Sequence, residues 1–315
     1  LAAAGLFAGG PCPAAEFLAN DVSDIARWTS QAQPGDLITL RDGEWPDVDI
    51  RFKAFGTDAS PIILRAQTPG RVLLTGNSRL RIAGRHLVVD GLVFTNGFIS
   101  SGDVIAFQDT STFMATNCRV TSCAIVDYNP PADTDDTKWI SLYGLSNRVD
   151  NCYLKGKRNL GSTLVVWVES GPDTPNYHRI DHNYFGPRPS LGGNGGETLR
   201  IGTSDVSMNP SRTLVEHNYF EQCNGDVEIV SVKAGENILR HNTFMESEGG
   251  LCLRHGNGSV VEGNYFLGRG LPRTGGVRIS GEDHRVVNNY FADLTGTAAR
   301  APLVIMQGLV NSPLH

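Results

Sequence analysis

The hydrophobic and polar positions of this chain follow a short recurring motif: an apolar residue, two polar residues, an asparagine and an aromatic residue. Its clearest copies are IDHNYF, VEHNYF, LRHNTF, VEGNYF and VVNNYF, whose asparagines are Asn183, Asn218, Asn242, Asn264 and Asn289. These asparagines lie 35, 24, 22 and 25 residues apart. Such intervals are typical of one coil of a parallel β-solenoid, and units this small cannot bury a core without their neighbours. We predict an all-β chain folded as a single right-handed parallel β-helix, with these asparagines in one column.

One stretch lacks the β pattern and shows helical spacing. In residues 21–33, DVSDIARWTSQAQ, Ile25 and Trp28 lie on one helical face. Either Asn20 or Asp21 can cap the first turn. We therefore predict a short helix that caps the N-terminal end of the β-helix.

Longer intervals between the repeats indicate insertions, which we expect to project from one side and wall a groove. They span 129–138, 171–177 and 187–196. The first insertion contains three acidic residues, Asp133, Asp135 and Asp136. These could bind calcium, but an ordinary solvated loop is the favoured interpretation.

The composition indicates a compartment and excludes some partners. The first residues, LAAAGLFAGGPCPAAEF, are similar to the end of a secretory signal peptide, with an apolar N-terminal cap as the alternative. We assign 1–15 to a signal-peptide remnant and 16–315 to the β-helix domain, and expect a periplasmic or secreted protein. The apolar run is too short to span a membrane. A net charge of −6 argues against nucleic acid as a partner, because that partner needs a basic surface.

The cysteines and the end of the chain leave alternatives open. The six cysteines form no C-x-x-C metal motif. Cys118 and Cys152 each follow an asparagine at equivalent repeat positions, so we expect them to stack in the core, where a disulfide is an option in an oxidising compartment. The chain ends at His315 soon after the apolar run LVIMQGLV. A β-helix ending there would expose strand edges, so either the last residues form a cap or the natural chain continues.

Charged residues of complementary types concentrate in the stretch NGDVEIVSVKAGENILRHNTFMESEGGLCLRH. Strand alternation buries Val227 and Ile229 and turns Asp226 and Glu228 outward. Lys233 has the wrong parity for that outer face. We therefore predict that the backbone bends between Glu228 and Lys233, which would bring an acidic pair and a lysine together.

The same alternation aligns outward charges on successive coils. They are Arg200, Glu228, Arg254 and Arg278, at steps of 28, 26 and 24 residues. In one ladder, Arg254 and Arg278 would be like-charged neighbours, a destabilising pair unless an anion lies between them. The alternative is that each arginine is solvated and turns away. Because the ladder is in register with the acidic pair and Lys233, we favour an anion-binding site.

Four blocks, NGGETLRIG, NGDVEIVSVKAGENILRHNTF, LRHGNGSVVEGNYF and GGVRISGEDHRVVNNYF, resemble polysaccharide lyase family six, which contains alginate lyases and chondroitinase B. The resemblance extends to AQPGDLITLRDGEW and DTKWISLYG, and so covers most of the chain. It implies a lyase domain in which Lys233 is the general base and Arg254 the acid.

The resemblance also implies the other site residues. A calcium ion would be held by Asn194, Asp226 and Glu228, although the family usually has glutamate where this chain has Asp226. Glu197 lies near Asn194 and could join the calcium ligands. His255 and Arg278 match positions that face the substrate, and the ladder adds Arg200 as a third substrate-binding residue.

The implied chemistry is consistent on physical grounds. β-Elimination removes the C5 proton of a 4-linked uronate, and that proton becomes acidic when Ca²⁺ neutralises the adjacent carboxylate. We predict a calcium-dependent lyase whose partner is the anionic polysaccharide alginate. A dermatan sulfate or chondroitin lyase with the same machinery is the nearest alternative, and a non-catalytic glycan-binding solenoid is an alternative from another class. The Asp- and Pro-rich insertions favour the unsulfated substrate.

Overall fold

The chain winds into three long sheets, each built from one strand of successive coils. The computed structural model describes residues 14–169, 175–192 and 194–306. It has the predicted architecture, a right-handed parallel β-helix. Residues 1–13 of the predicted leader, 171–174 and 193 of two insertions, and the apolar run after Met306 lie outside the described residues. No helix in the described ranges is both long and apolar enough to cross a membrane.

Two of the sheets form the sides of the β-helix away from the charged stretch. The 11-stranded first sheet contains, in paired order, Glu16–Ala19, Leu37–Leu40, Ile62–Ala66, Leu87–Asp90, Arg119–Thr121, Arg148–Asp150, Arg179–Asp181, Leu214–Glu216, Ile238–Arg240, Val260–Glu262 and Arg285–Val287. The 10-stranded second sheet contains Gly43–Pro46, Val72–Gly76, Leu92–Gly97, Ala124–Val126, Tyr153–Lys155, Tyr184–Phe185, Tyr219–Glu221, Thr243–Met245, Tyr265–Leu267 and Tyr290–Ala292.

The third sheet has 12 strands and is named the groove sheet, because the charged stretch lies on it. Its strands are Asp49–Phe55, Arg79–Arg85, Gly102–Ala106, Gln108–Thr110, Phe113–Thr116, Thr137–Leu142, Leu164–Val166, Leu199–Ile201, Glu228–Lys233, Gly249–His255, Thr274–Ile279 and Leu303–Ile305. Short 3₁₀ helices occupy Ser204–Val206 and Ala298–Arg300. The described strand pairs are parallel, apart from the hairpin of Gln108–Thr110 with Phe113–Thr116.

The predicted asparagine column is confirmed. Along it, the backbone N–H of each asparagine donates to Oδ1 of the asparagine one coil further, at 2.9–3.0 Å. The residue before each asparagine has a left-handed φ of 55–63°, which makes the turn. Its members are His182, His217, His241, Gly263 and Asn288. The side-chain amides thus satisfy buried backbone groups at a turn that no strand pairs.

The aromatic residue after each asparagine pair packs the core. The rings of Phe185, Phe220, Phe244, Phe266 and Phe291 stack with centroids 4.6–5.0 Å apart and planes within 12°. Cys118 and Cys152 are also buried in the core, as expected. Both are free thiols, so the optional disulfide between them is not formed.

The predicted N-terminal helix spans Val22–Gln31 and so ends two residues before the predicted 21–33. Asp21 caps it, because its carboxylate accepts the N–H of Asp24 at 2.9 Å. Ile25 is buried and Trp28 stacks on Phe17 at 4.8 Å, which fixes the helix on the first coil.

The acidic residues of the first insertion form surface ion pairs. Asp133 lies 3.4 Å from Arg158, and Asp136 lies 2.8 Å from Lys138. These contacts agree with a solvated loop, the favoured interpretation of this insertion.

Candidate active site

Two irregularities in the groove sheet shape the charged stretch. Between strands Glu228–Lys233 and Gly249–His255, the register shifts once after Glu228 and again before Lys233. Ile229 is the extra residue of the first shift and Arg254 of the second. Such bulges re-aim side chains, often beside functional sites. The predicted bend between Glu228 and Lys233 is therefore confirmed.

The predicted ladder of outward charges is wrong in its register. Arg200 pairs with Ser231, Ser231 with Cys252, and Cys252 with Arg278. Glu228 and Arg254 lie beside this column rather than in it. Residue counting failed because each bulge adds a residue to one strand only. Val227, which was predicted to be buried, is half-buried and precedes the strand.

Two arginines converge on one carboxylate. Arg278 forms an ion pair and hydrogen bond with Oε1 of Glu228, and Arg254 lies 3.7 Å from the same oxygen. The hydroxyl of Ser231 donates to Oε2 of Glu228 at 2.5 Å. Arg278 and Glu228 are buried, whereas the side chain of Arg254 is 46% exposed. The anion that separates the two arginines is thus Glu228 itself, and the free guanidinium that reaches the groove is that of Arg254.

Lys233 lies on the same face, above a buried glutamate. Its Nζ is 3.4 Å from Oε1 of Glu197, and the lysine is mostly shielded from solvent. Oε2 of Glu197 is buried without a hydrogen-bond partner. Lys233 pairs in register with His255, whose Nε2 lies 3.4 Å from the hydroxyl of Ser204. An amine, a guanidinium and an imidazole therefore meet at one edge of the groove.

The predicted calcium ligands lie next to this edge. Asp226 accepts the N–H groups of Gly195 and Gly196 at 3.0 and 3.3 Å through Oδ2, and that of Glu228 at 3.0 Å through Oδ1. Burial raises the pKa of Asp226, and the carboxylates of Glu197 and Glu228 raise it further. Asn194, which directly precedes Gly195, is exposed.

These residues have the donor chemistry of a calcium site. Ca²⁺ prefers carboxylate and amide oxygens, and the orphaned Oε2 of Glu197 beside a carboxylate of raised pKa fits a cation at this point. In the described ranges, however, no three His, Cys, Asp or Glu side chains converge as a metal site. The reason is that Glu228 is held by Arg278 and Asp226 by backbone N–H groups.

Three residues near the site were not singled out from the sequence. Ser231 orients Glu228, and Trp167 lies under the guanidinium of Arg200, whose carbon is 5.1 Å from the ring centre. Arg188 is buried and donates to the carbonyl of Glu197 at 2.9 Å. The strand LVV before Trp167 was a signal for that residue, but the insertions between coils hid its alignment with the charged stretch.

The fold and the charged groove define a parallel β-helix of the polysaccharide lyase class. The Chondroitinase B family model matches residues 19–315, and the chain belongs to this family, which overlaps polysaccharide lyase family 6 among the solved structures. A search of curated proteins found no match.

Several solved structures are similar to the chain. The PL6 family alginate lyase AlyGC is 48% identical with a TM-score of 0.92, over 95% of this chain and 41% of that one. A mannuronic acid specific polysaccharide family 6 lyase from human gut microbiota is 37% identical with a TM-score of 0.87, over 95% of this chain and 70% of that one. The PL6 lyase Pedsa3628 from Pseudopedobacter saltans is 32% identical with a TM-score of 0.81, over 88% and 64%. The chain thus spans less than half the length of AlyGC.

Proposed function

We propose that this protein is a polysaccharide lyase that cleaves alginate by β-elimination and leaves unsaturated uronate ends. The observation that carries the proposal is the bulged edge where Lys233, Arg254 and His255 meet. A structural lysine would need no break in strand parity to reach solvent. The alginate lyases among the similar structures support the substrate class.

In the proposed reaction, Lys233 takes the C5 proton of the uronate, the bond from C4 to the leaving oxygen breaks, and a C4–C5 double bond forms. Arg254 stabilises the leaving oxygen while a water molecule delivers its proton, because a guanidinium is a poor acid. His255 faces the same sugar, and Arg200 and Arg278 supply positive charge along the groove.

Calcium is part of this proposal. A bound Ca²⁺ would act as a Lewis acid toward the uronate carboxylate, and Asn194, Asp226 and Glu228 would hold it, with Glu197 beside them. We expect chelation to abolish turnover and added Ca²⁺ to restore it. Full turnover after exhaustive chelation would contradict the calcium role.

The test is the ultraviolet absorbance of unsaturated product from defined polyuronates. Lys233→Arg should lose turnover by roughly a hundredfold or more and keep its melting temperature, because arginine retains its proton. Lys155→Arg, on the exposed face of the second sheet, is the matched control and should behave like the wild type. Near-normal cleavage by a well-folded Lys233→Arg would remove Lys233 from the mechanism, and His255 would become the candidate base.

A dermatan sulfate or chondroitin lyase is the second candidate, because the matching family model is that of chondroitinase B. Including dermatan sulfate in the substrate panel separates the two. A non-catalytic glycan-binding protein would release no unsaturated product from any of them. We also propose that the protein is exported, and cell fractionation tests this.

A further inference from the structure

Two aromatic rings stand in the same row of the groove sheet as Lys233. Four paired positions on neighbouring strands, Leu142, Val166, Ile201 and Val232, fix this row. The residues that follow them along the strands are Tyr143, Trp167, Gly202 and Lys233. Trp167 is therefore two strand spacings, roughly 10 Å, from Lys233 along the groove.

Gly202 leaves a gap between Trp167 and Lys233. Its φ is +77°, and a Cβ there would lie 3.0 Å from the carbonyl oxygen of Lys233. A side chain at this position would be strained and would crowd the strand that carries the lysine. The floor of the groove between the aromatic rings and Lys233 is thus backbone only.

Arg200 borders this gap with no anionic partner. Its guanidinium carbon lies 5.1 Å from the ring centre of Trp167, and its Nε is buried without a hydrogen-bond partner. Among the described residues it forms no ion pair, unlike Arg278, which is held by Glu228. A partly buried arginine that is stacked but unpaired suits a ligand carboxylate, which it can bind through two parallel hydrogen bonds.

A hydrogen-bonded network holds the two rings in place. The rings of Tyr143 and Trp167 stack at 5.8 Å with planes 10° apart. Trp167 Nε1 donates to the hydroxyl of Ser141 at 3.2 Å, and that hydroxyl donates to Asp103 at 2.7 Å. The hydroxyl of Tyr143 lies 3.3 Å from the other oxygen of Asp103. The position of the Arg200 guanidinium is therefore set before any ligand binds.

We propose that Trp167, Tyr143 and Arg200 form a uronate subsite two sugar positions from the residue that reacts at Lys233, an inference that rests on the proposed function. One 4-linked pyranose is about as long as one strand spacing, roughly 4.8 Å, so one sugar covers Gly202 and the next meets Trp167. Arg200 binds a carboxylate, and the edge of Trp167 contacts the apolar side of the sugar. The subsite makes binding depend on chain length.

The first experiment measures kcat and KM on alginate oligosaccharides of increasing length. Trp167→Ala and Arg200→Gln should raise KM roughly tenfold for oligomers that reach the subsite and leave kcat within about twofold. Neither should change KM for the shortest oligomer that is cleaved. The control is Tyr153→Ala, which removes an exposed stacked ring of the second sheet and should change nothing. Equal effects at every length, or none, would overturn the subsite.

The second experiment detects binding directly. The chain has four tryptophans, and we expect an alginate pentasaccharide to quench tryptophan fluorescence of the Lys233→Arg variant. Adding Trp167→Phe, which keeps a ring in place, should remove the quench, whereas adding Trp28→Phe at the N-terminal helix should not. A quench that survives Trp167→Phe would refute the subsite. If the wild type releases no unsaturated product, the proposed function fails, while this titration still decides whether the subsite binds uronates.

Discussion

The asparagine column and the groove sheet use the same coils in opposite ways. In the column, each coil repeats the same residues, and the amide of Asn242, for example, satisfies neighbours on both sides at 3.0 Å. In the groove sheet, the paired residues differ at every coil, and two bulges interrupt the register. Buried polar atoms without partners occur there, at Glu197, Arg200 and Arg278.

This difference indicates how the molecule divides stability from function. Stacked rings and closed amide bonds in the column stabilise the β-helix and leave no group for a ligand. The groove holds unsatisfied groups and like charges near each other, which costs stability unless a ligand completes them. Substitutions in the two regions should therefore affect different measurements.

The largest expected effect is on turnover, at Arg254. Arg254→Ala removes the groove-facing guanidinium and should lower kcat roughly a hundredfold, with little change in melting temperature because the side chain is half exposed. Arg269→Ala serves as the control, since Arg269 forms a similar exposed ion pair with Glu246 away from the groove. A variant that unfolds instead would mean that Arg254 belongs with the structural residues.

The next effect is on stability, at Asn242. Asn242→Ala leaves the N–H of Asn218 and the carbonyl of Val215 without partners, so the free energy of unfolding should fall by about 3 kcal/mol. Urea unfolding measures this change, and kcat of the folded fraction should stay within about twofold. The exposed Asn20→Ala should cost less than about 0.5 kcal/mol. A loss of kcat without a loss of stability would remove the distinction between the two regions.

Arg188 connects the two regions, and its replacement should affect both. Its guanidinium is buried and donates to the carbonyls of Glu197 and Asn159 at 2.9 Å. Arg188→Met should lower the free energy of unfolding by about 2 kcal/mol, since it leaves these carbonyls unpaired. It should also weaken Ca²⁺ binding in calorimetry, because Glu197 loses its backbone anchor. Arg158→Met, at an exposed neighbour, is the control, and unchanged calcium affinity in a destabilised Arg188→Met would contradict the connection.

The smallest effect is pH-dependent and belongs to the first sheet. Burial opposes ionisation of Asp181, but hydrogen bonds from Arg148 and His182 prevail and lower the pKa of Asp181. This stabilisation is present above the unfolded pKa of about 3.9 and is lost as the pH falls through the lower folded pKa. Arg148→Met should therefore cost about 1–2 kcal/mol at pH 6 and almost nothing below that folded pKa, as measured by urea midpoints. A cost independent of pH would mean that packing, not the ion pair, stabilises this site.

Local repetition explains which predictions were correct. The asparagine column and the capping helix depend on spacing and on residue type within one stretch, so both were predictable from the sequence. The bend before Lys233 was also predictable, because the parity of Glu228 and Lys233 conflicts. The ladder of Arg200, Glu228, Arg254 and Arg278 failed because it assumed one residue per pair on every strand.

The sequence by itself determined the period, the buried face and the set of charged residues, because each is encoded by neighbours within one coil. Only the tertiary structure decided which coils meet. Ile229 and Arg254 became the bulged residues through the pairing of two strands, and insertions of unequal length placed Trp167 in the row of Lys233. Register between distant strands depends on packing across coils, and no single stretch of the chain contains that information.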